Sequence, residues 1–249
     1  MNCYSRRATL MAFGVLWLAA PACGQTFPSK SIRIVVGYTA GGTADLVSRL
    51  RARSMTEKLG QQVYVDNRPS IGGLLANELV ANAAPDGYTL LLANSSFAYL
   101  PALYTKLNFD MRKDFAPVAL LATSQNLLVV HPAVPAKNVR ELIALARKKP
   151  GSLNYASAGI GGSTHLATEL FKSMTNTEIT NIPYKGNSQS ITDLISGGVD
   201  LTIAPIPVLL PPVAAKKLRP LATTGDKRSP IMPDVPTVRE SGIAELKDF

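Results

Sequence analysis

The 249 residues carry 26 lysines and arginines against 17 acids, a formal charge of +9, with 46% hydrophobic and 6% aromatic residues. That is enough chain for one large domain or two modest lobes, each burying its own core. The basic residues are scattered and form no stripe interleaved with aromatics, so nucleic acid is not an expected partner, and the net charge is read as solubility with a field that favours acidic ligands.

Arg6 and Arg7 precede an apolar stretch, ATLMAFGVLWLAA, that runs out into small residues around Ala20-Pro21-Ala22-Cys23-Gly24. A basic start, a short apolar core and a small-residue exit predict a secretory signal peptide over residues 1–24 and a periplasmic product. The core is short of the ~20 residues that span a bilayer. Cleavage after Gly24 removes Cys3, Cys23 and Trp17, takes the formal charge to +7, and leaves no thiol for a disulfide or a thiolate metal site. Lipidation at Cys23 is the lesser alternative, because Pro21 is a poor lead-in.

Short runs rich in Val, Ile and Leu then predict strands at 32–36, 63–65, 89–93, 118–122, 126–131, 153–157, 179–184, 199–204 and 218–223. Between two of them, Val139, Leu142, Ile143 and Ala146 fall at i, i+3, i+4 and i+7, one stripe of a helix. Asn138 is its cap, with Glu141 in capping-box position and Pro150-Gly151 as its stop. Ile191, Leu194 and Ile195 mark another helix, ended by Gly197-Gly198. The alternation predicts an α/β protein with parallel sheets built from βα units.

Two strand-to-helix turns stand out, VGYTAGGTAD at 36–45 and SAGIGGSTH at 157–165. Glycine lets a ligand approach the main chain. A helix start offers unpaired N–H groups and the positive end of a dipole, so it holds an anion without a basic side chain. Thr39, Thr43, Ser157, Ser163 and Thr164 add hydroxyl donors. Gly-rich turns are often merely tight packing, but one per lobe, facing each other, would grip a small anion from both sides. The run 118–131 is then the crossing between lobes, and the region of Thr223-Thr224-Gly225 the return.

Sharper motifs fail. Gly37 and Gly42 have phosphate-loop spacing without its lysine. Gly159-x-Gly161-x-x-Thr164 lacks the third glycine of a dinucleotide fingerprint, and Glu178 precedes its strand. Gly161-x-Ser163-x-His165 has histidine where a nucleophile elbow closes on glycine, yet it keeps a secreted α/β hydrolase using Ser163 and His165 as the alternative function. His165 can contact an acidic ligand, cap locally or face water; His131 ends an apolar strand and is read as packed. Asp45 can favour the helix dipole, hold the first turn through backbone N–H groups, or meet a ligand ammonium. Tyr184 and Lys185 follow a further strand at the same edge. No spacing fits a metal site, and no cofactor is expected.

The series FPSKSIRIVV, AGGTAD, LGQQVYVDNRP, PDGYTLLLA, SAGIGGSTHLA, IPYKGNSQSITDLISGGVDL and MPDVPTVRESG resembles the Bug family, the extracytoplasmic solute receptors of tripartite tricarboxylate transporters, from Phe27 to the end of the chain. The resemblance implies a two-lobed periplasmic-binding-protein fold, type II-like, with a ligand cleft between the lobes and no enzymatic activity. It implies that small carboxylates are held by backbone amides, hydroxyls and bridging water. The expected contacts are Tyr38, Thr39, Ala40, Gly41, Gly42, Thr43 and Asp45 in the first loop. In the second they are Ser157, Ala158, Gly159, Gly161, Gly162, Ser163, Thr164 and His165. Ser95 and Ser96 border the cleft, and Tyr184 and Lys185 add side chains. The ligand would pass to membrane permease subunits, and a sensor ectodomain is a further partner of such a receptor. Gly37-Tyr38 stands where the family often has Pro and Phe, and Ser70-Ile71 where it has Gly and Ala. The expected layout is lobe 1 over 25–124, lobe 2 over 125–224, and an incomplete return to lobe 1 over 225–249.

Overall fold

The computed structural model describes residues 26–243, in two β-sheets flanked by helices. The expected signal segment lies outside the described residues. In the first sheet β1 (Ile32–Val36) is central, between β2 (Val63–Asn67) and β3 (Thr89–Leu92), all parallel. α1 (Thr43–Leu59) and α2 (Leu74–Ala81) pack on this sheet, and α3 (Ser95–Leu103) lies against residues 71–73. Ile32, Ile34, Val36, Tyr38, Ala52 and Val63 form this lobe's core.

The second sheet has the order β6-β5-β7-β4-β8. Its strands are β4 (Asn126–Val130), β5 (Asn154–Ser157), β6 (Thr180–Pro183), β7 (Leu201–Pro205) and β8 (Arg219–Thr223). Four helices cover it: α4 (Val139–Lys148), α5 (Ser163–Thr175), α6 (Asn187–Ser196) and α7 (Ile206–Ala214). All five residues of β4 are buried. Leu128 and Val130 enter one core with Leu142, Tyr155 and Phe171, while Leu127 and Val129 enter the other with Ile191, Leu194 and Leu209. Period-two alternation with both faces covered explains why NLLVV reads as unbroken apolar sequence.

Three expectations need correction. The second sheet is not wholly parallel: β4 runs antiparallel to both β7 and β8. β4 is entered from the first lobe rather than through a helix of its own sheet, so no βα crossover dictates its direction. Residues 118–122 form no strand; Val118 and Leu120 are each 83% exposed, and an apolar run becomes a strand only where a neighbour and a covered face hold it. Residues 226–243 stay with the second sheet instead of turning back. Thr237 bridges Thr223 in parallel, and Met232, Val235 and Val238 pack in that lobe's cores.

Local signals hold where the chemistry is local. The Glu141 N–H donates to Asn138 Oδ1 at 2.9 Å, and Glu141 Oε2 accepts the Lys137 N–H at 2.7 Å. α6 ends at Gly197 with φ +81°, a left-handed turn that glycine makes without steric cost.

Phe171 is completely buried between α5 and the sheet. Phe171→Ala is expected to cost about 3–5 kcal/mol, read as a lower urea midpoint at unchanged slope. Leu120→Ser, at an exposed position, should stay within about 0.5 kcal/mol of wild type.

Candidate functional site

β1 delivers its chain end into residues 37–42, where α1 begins. Gly37 backs onto a second glycine: a Cβ there would lie 2.6 Å from Gly73 Cα, so no side chain fits. Gly42 is the N-cap of α1 and supplies no side-chain cap. The first helical bond runs from the Leu46 N–H to the Gly42 carbonyl at 3.0 Å, and the N–H groups before it point out of the helix end. Thr39 Oγ1 and Thr43 Oγ1 are buried there without a protein partner.

Asp45 holds this turn in shape. Its Oδ2 accepts the Gly41 N–H at 3.0 Å and Arg49 Nε at 2.9 Å. Burial pulls its carboxyl upward, but the bonds from Arg49 and from the Gly41 N–H outweigh that and hold it below the ordinary carboxylate range. Behind the turn, Tyr38 lies buried with its hydroxyl 2.6 Å from Ser96 Oγ and 3.2 Å from Asn94 Oδ1. Burial pushes its pKa up despite those bonds. Ser96 is buried in this network, whereas Ser95 is exposed.

β5 leads into the second turn in the same way. Gly159 and Gly161 take φ of +123° and +75°, and Gly162 caps α5 without a side chain. Thr164 Oγ1 accepts the Ala158 N–H at 2.7 Å, the Gly162 N–H donates to the Gly159 carbonyl at 3.0 Å, and the Gly161 N–H donates to His165 Nδ1 at 3.2 Å. Ser157 Oγ is fully buried with no protein partner. Ser163 is half-buried, and among the described residues no hydrogen bond joins it to His165. His165 therefore serves as a local acceptor, not as a base for Ser163.

Each turn meets the opposite lobe, the first at residues 186–188 and the second at Gly72 and Leu103. Ser188 Oγ, in the first turn of α6, donates to the Ala40 carbonyl at 2.7 Å. A Cβ on Gly186 would lie 2.2 Å from Thr39 Oγ1, and one on Gly161 would lie 2.6 Å from Leu103. A Cβ on Gly72 would lie 3.8 Å from the Ile160 carbonyl oxygen, and one on Gly159 would lie 3.9 Å from the Gly72 nitrogen. Asn187, next to Ser188, contributes a further unpartnered buried oxygen, Oδ1.

Tyr184 is engaged by its own lobe. Its hydroxyl donates to Asp193 on α6, and burial together with that carboxylate pushes its pKa to about 12. Lys185 is exposed. Sequence reasoning missed Gly72-Gly73, Gly186, Asn187 and Ser188. The first pair carries the same signal as the other turns, small residues between a strand and a helix, and was passed over. Among the described residues no cluster of three His, Cys, Asp or Glu side chains could hold a metal, and no helix is long and apolar enough to cross a membrane.

Two α/β lobes whose strand-to-helix turns meet across a junction are the plan of a solute-binding protein. The chain belongs to the tripartite tricarboxylate transporter family receptor group, whose family model matches residues 47–248. It is 40% identical over 236 residues to a protein of the gbd 5' region of Cupriavidus necator, covering 95% of this chain and 72% of that one. It is 38% identical over 215 residues to a protein of the tcbD-tcbE intergenic region of Pseudomonas sp., covering 86% and 64%. The chain thus spans between about two thirds and three quarters of the length of these relatives.

Among solved structures, Rpa4515 of R. palustris with adipate matches at 38% identity and TM-score 0.86, over 89% of this chain and 75% of that one. MatC from Rhodopseudomonas palustris with bound malate matches at 32% and 0.84, over 89% and 76%. The periplasmic binding protein BugD matches at 30% and 0.82, over 89% and 74%. This is a family of receptors rather than enzymes, which sets aside the hydrolase built on Ser163 and His165.

Asp45 has a folded pKa below its unfolded one, so its stabilisation is complete above the ordinary carboxylate range and is lost as pH falls through the lowered value. Asp45→Asn is expected to cost about 1–3 kcal/mol near neutral pH. The gap to wild type should narrow from about pH 4 downwards in urea titrations; a gap independent of pH would show that the charge is not what holds the turn.

Proposed function

We propose that this chain is a periplasmic receptor, exported by residues 1–24, that captures a small mono- or dicarboxylate between the turns at 38–45 and 157–165 and delivers it to membrane permease subunits. The observation that carries the reading is the set of buried hydroxyls without protein partners at the lobe junction: Thr39 and Thr43 on one side, Ser157 on the other. A buried polar group left unsatisfied costs about 1–3 kcal/mol. Carboxylate oxygens accept from these hydroxyls and from uncapped helix N–H groups, so one small anion relieves several of these costs together, while Asn187 Oδ1, itself an acceptor, needs a donor such as bridging water.

The lobes in this reading are 25–124 and 125–224, with the cleft between them. The adipate and malate bound by Rpa4515 and MatC make dicarboxylates the first compounds to try. A sensor ectodomain that reads the occupied receptor is a second partner consistent with the same design.

The test is thermal unfolding of the purified chain, followed with a dye, against adipate, malate, citrate, acidic amino acids and aromatic acids, each beside its amide. A ligand at 100 times its dissociation constant adds about 2.7 kcal/mol, which for this chain length raises the midpoint by roughly 5–10 °C. One acid should do this while its amide does not, and Ser157→Ala should weaken that acid about fivefold, the worth of one net hydrogen bond. A cooperative transition indifferent to every acid would sink the carboxylate reading.

A further inference from the structure

Two side chains hold the second turn, Thr164 at the Ala158 N–H and His165 at the Gly161 N–H, and of these only His165 titrates. His165, in the first turn of α5, accepts the Gly161 N–H at Nδ1 over 3.2 Å. The peptide so held lies against Leu103 of the other lobe, at the junction where Ser157 Oγ lacks a partner. The imidazole is itself fixed. Its ring stacks on Tyr155, with centroids 6.4 Å apart and planes 27° from parallel. The Tyr155 hydroxyl donates to Glu169 Oε1 at 2.7 Å, and Lys172 Nζ donates to the same oxygen at 2.7 Å.

We infer that His165 is a positioning residue for the ligand, one that sets the second turn through the Gly161 N–H and does so only while its imidazole is neutral. The consequence for ligand affinity rests on the receptor reading above; the contact itself does not. The chemistry is a matter of one lone pair. Neutral Nδ1 accepts an N–H, whereas protonated Nδ1 is a donor and would face the Gly161 donor head-on.

The groups that face the ring are Tyr155 from β5 and Glu169 and Lys172 along α5. Burial lowers the His165 pKa most, Glu169 opposes it and Lys172 adds to it, leaving the ring easier to deprotonate than an ordinary histidine. The turn is therefore fully held above the ordinary histidine range and is released as pH falls through the lowered value. A direct ion pair between imidazolium and a bound carboxylate makes the opposite prediction, with affinity rising in acid.

The experiment is a pH titration of the full chain by 15N–1H NMR, joined to calorimetry with adipate and with malate as probes. The chain has two histidines, which keeps the imidazole signals few. The Gly161 amide should shift with the same midpoint as His165, and should not titrate in His165→Asn. Asparagine places Oδ1 near the Nδ1 position, where it accepts the N–H and carries no titratable proton; glutamine places its amide further out.

His165→Leu and His165→Gln should each weaken binding about fivefold at neutral pH, and His165→Asn should recover most of that loss. As pH falls from above the ordinary histidine range through the lowered His165 value, wild type should lose affinity relative to His165→Asn, a ratio that cancels the acids' own ionisation. A Gly161 amide indifferent to the His165 titration would overturn the inference. So would an asparagine variant no better than leucine, or an affinity that rises in acid relative to asparagine. If neither acid binds at any pH while Gly161 still follows His165, the receptor reading fails for these acids and the positioning contact stands.

Discussion

The junction depends on backbone N–H groups that no side chain of the protein satisfies. α1 and α5 begin at glycines, α6 begins at Gly186, and none of the three has a side-chain cap. α3 begins at Asn94, whose side chain accepts from the Tyr38 and Ser96 hydroxyls and from no backbone N–H of the helix. α4 differs: Asn138 caps it through the Glu141 N–H, an arrangement generally worth about 1 kcal/mol. Topology explains the contrast. β5, β6 and β7 are parallel and release their chain ends at the same edge, whereas β4 runs the other way and starts α4 at the opposite edge. Helices that begin at the junction lack caps; the one that begins far from it is capped.

Much of this could be read in advance, because strands, turns and caps are dictated locally. The apolar runs, the glycines before α1 and α5 and the Asn138–Glu141 pair all carry their reasons within a few residues. What escaped depended on distant partners. β4 reads the same in either direction, since a strand buried on both faces shows no direction in its composition. Residues 118–122 have strand-like composition, but composition does not provide a neighbour. The Tyr184 hydroxyl could serve the cleft or its own lobe, and only the position of Asp193 on α6 decides for the latter. Gly72-Gly73 was within reach of the same rule that found the other turns.

Neutral donors suit a site that must release what it binds. A buried lysine or arginine would bring its own desolvation cost of several kcal/mol and, once paired, would be hard to separate from its anion. Helix ends supply only about half a charge each and lose nothing by being exposed again to water. Arg49 lies near the first turn, but Asp45 already engages it, so its charge stiffens the loop rather than waiting unpaired for the ligand. The scattered positive charge of the chain can still raise the local concentration of acids without entering the site.

The balance of closure follows from the same groups. Across the junction the described residues make one direct hydrogen bond between the lobes, from Ser188 at the start of α6 to Ala40 in the first turn, with a typical net worth of about 0.5–1.5 kcal/mol. The same structure holds the Thr39, Thr43 and Ser157 hydroxyls buried without partners, each at a cost comparable to or larger than that bond. On the proposed reading, an arrangement that buries these hydroxyls is uphill without a ligand, and a carboxylate held by both turns would change the sign by converting those costs into hydrogen bonds. Shifting a two-state equilibrium from about 1:99 to about 99:1 takes about 5.5 kcal/mol of differential affinity, within reach of three relieved hydroxyls at about 1–3 kcal/mol each. Under the receptor proposal, the unpartnered hydroxyls would make the closed form conditional on the ligand, a role that well-satisfied ones could not fill.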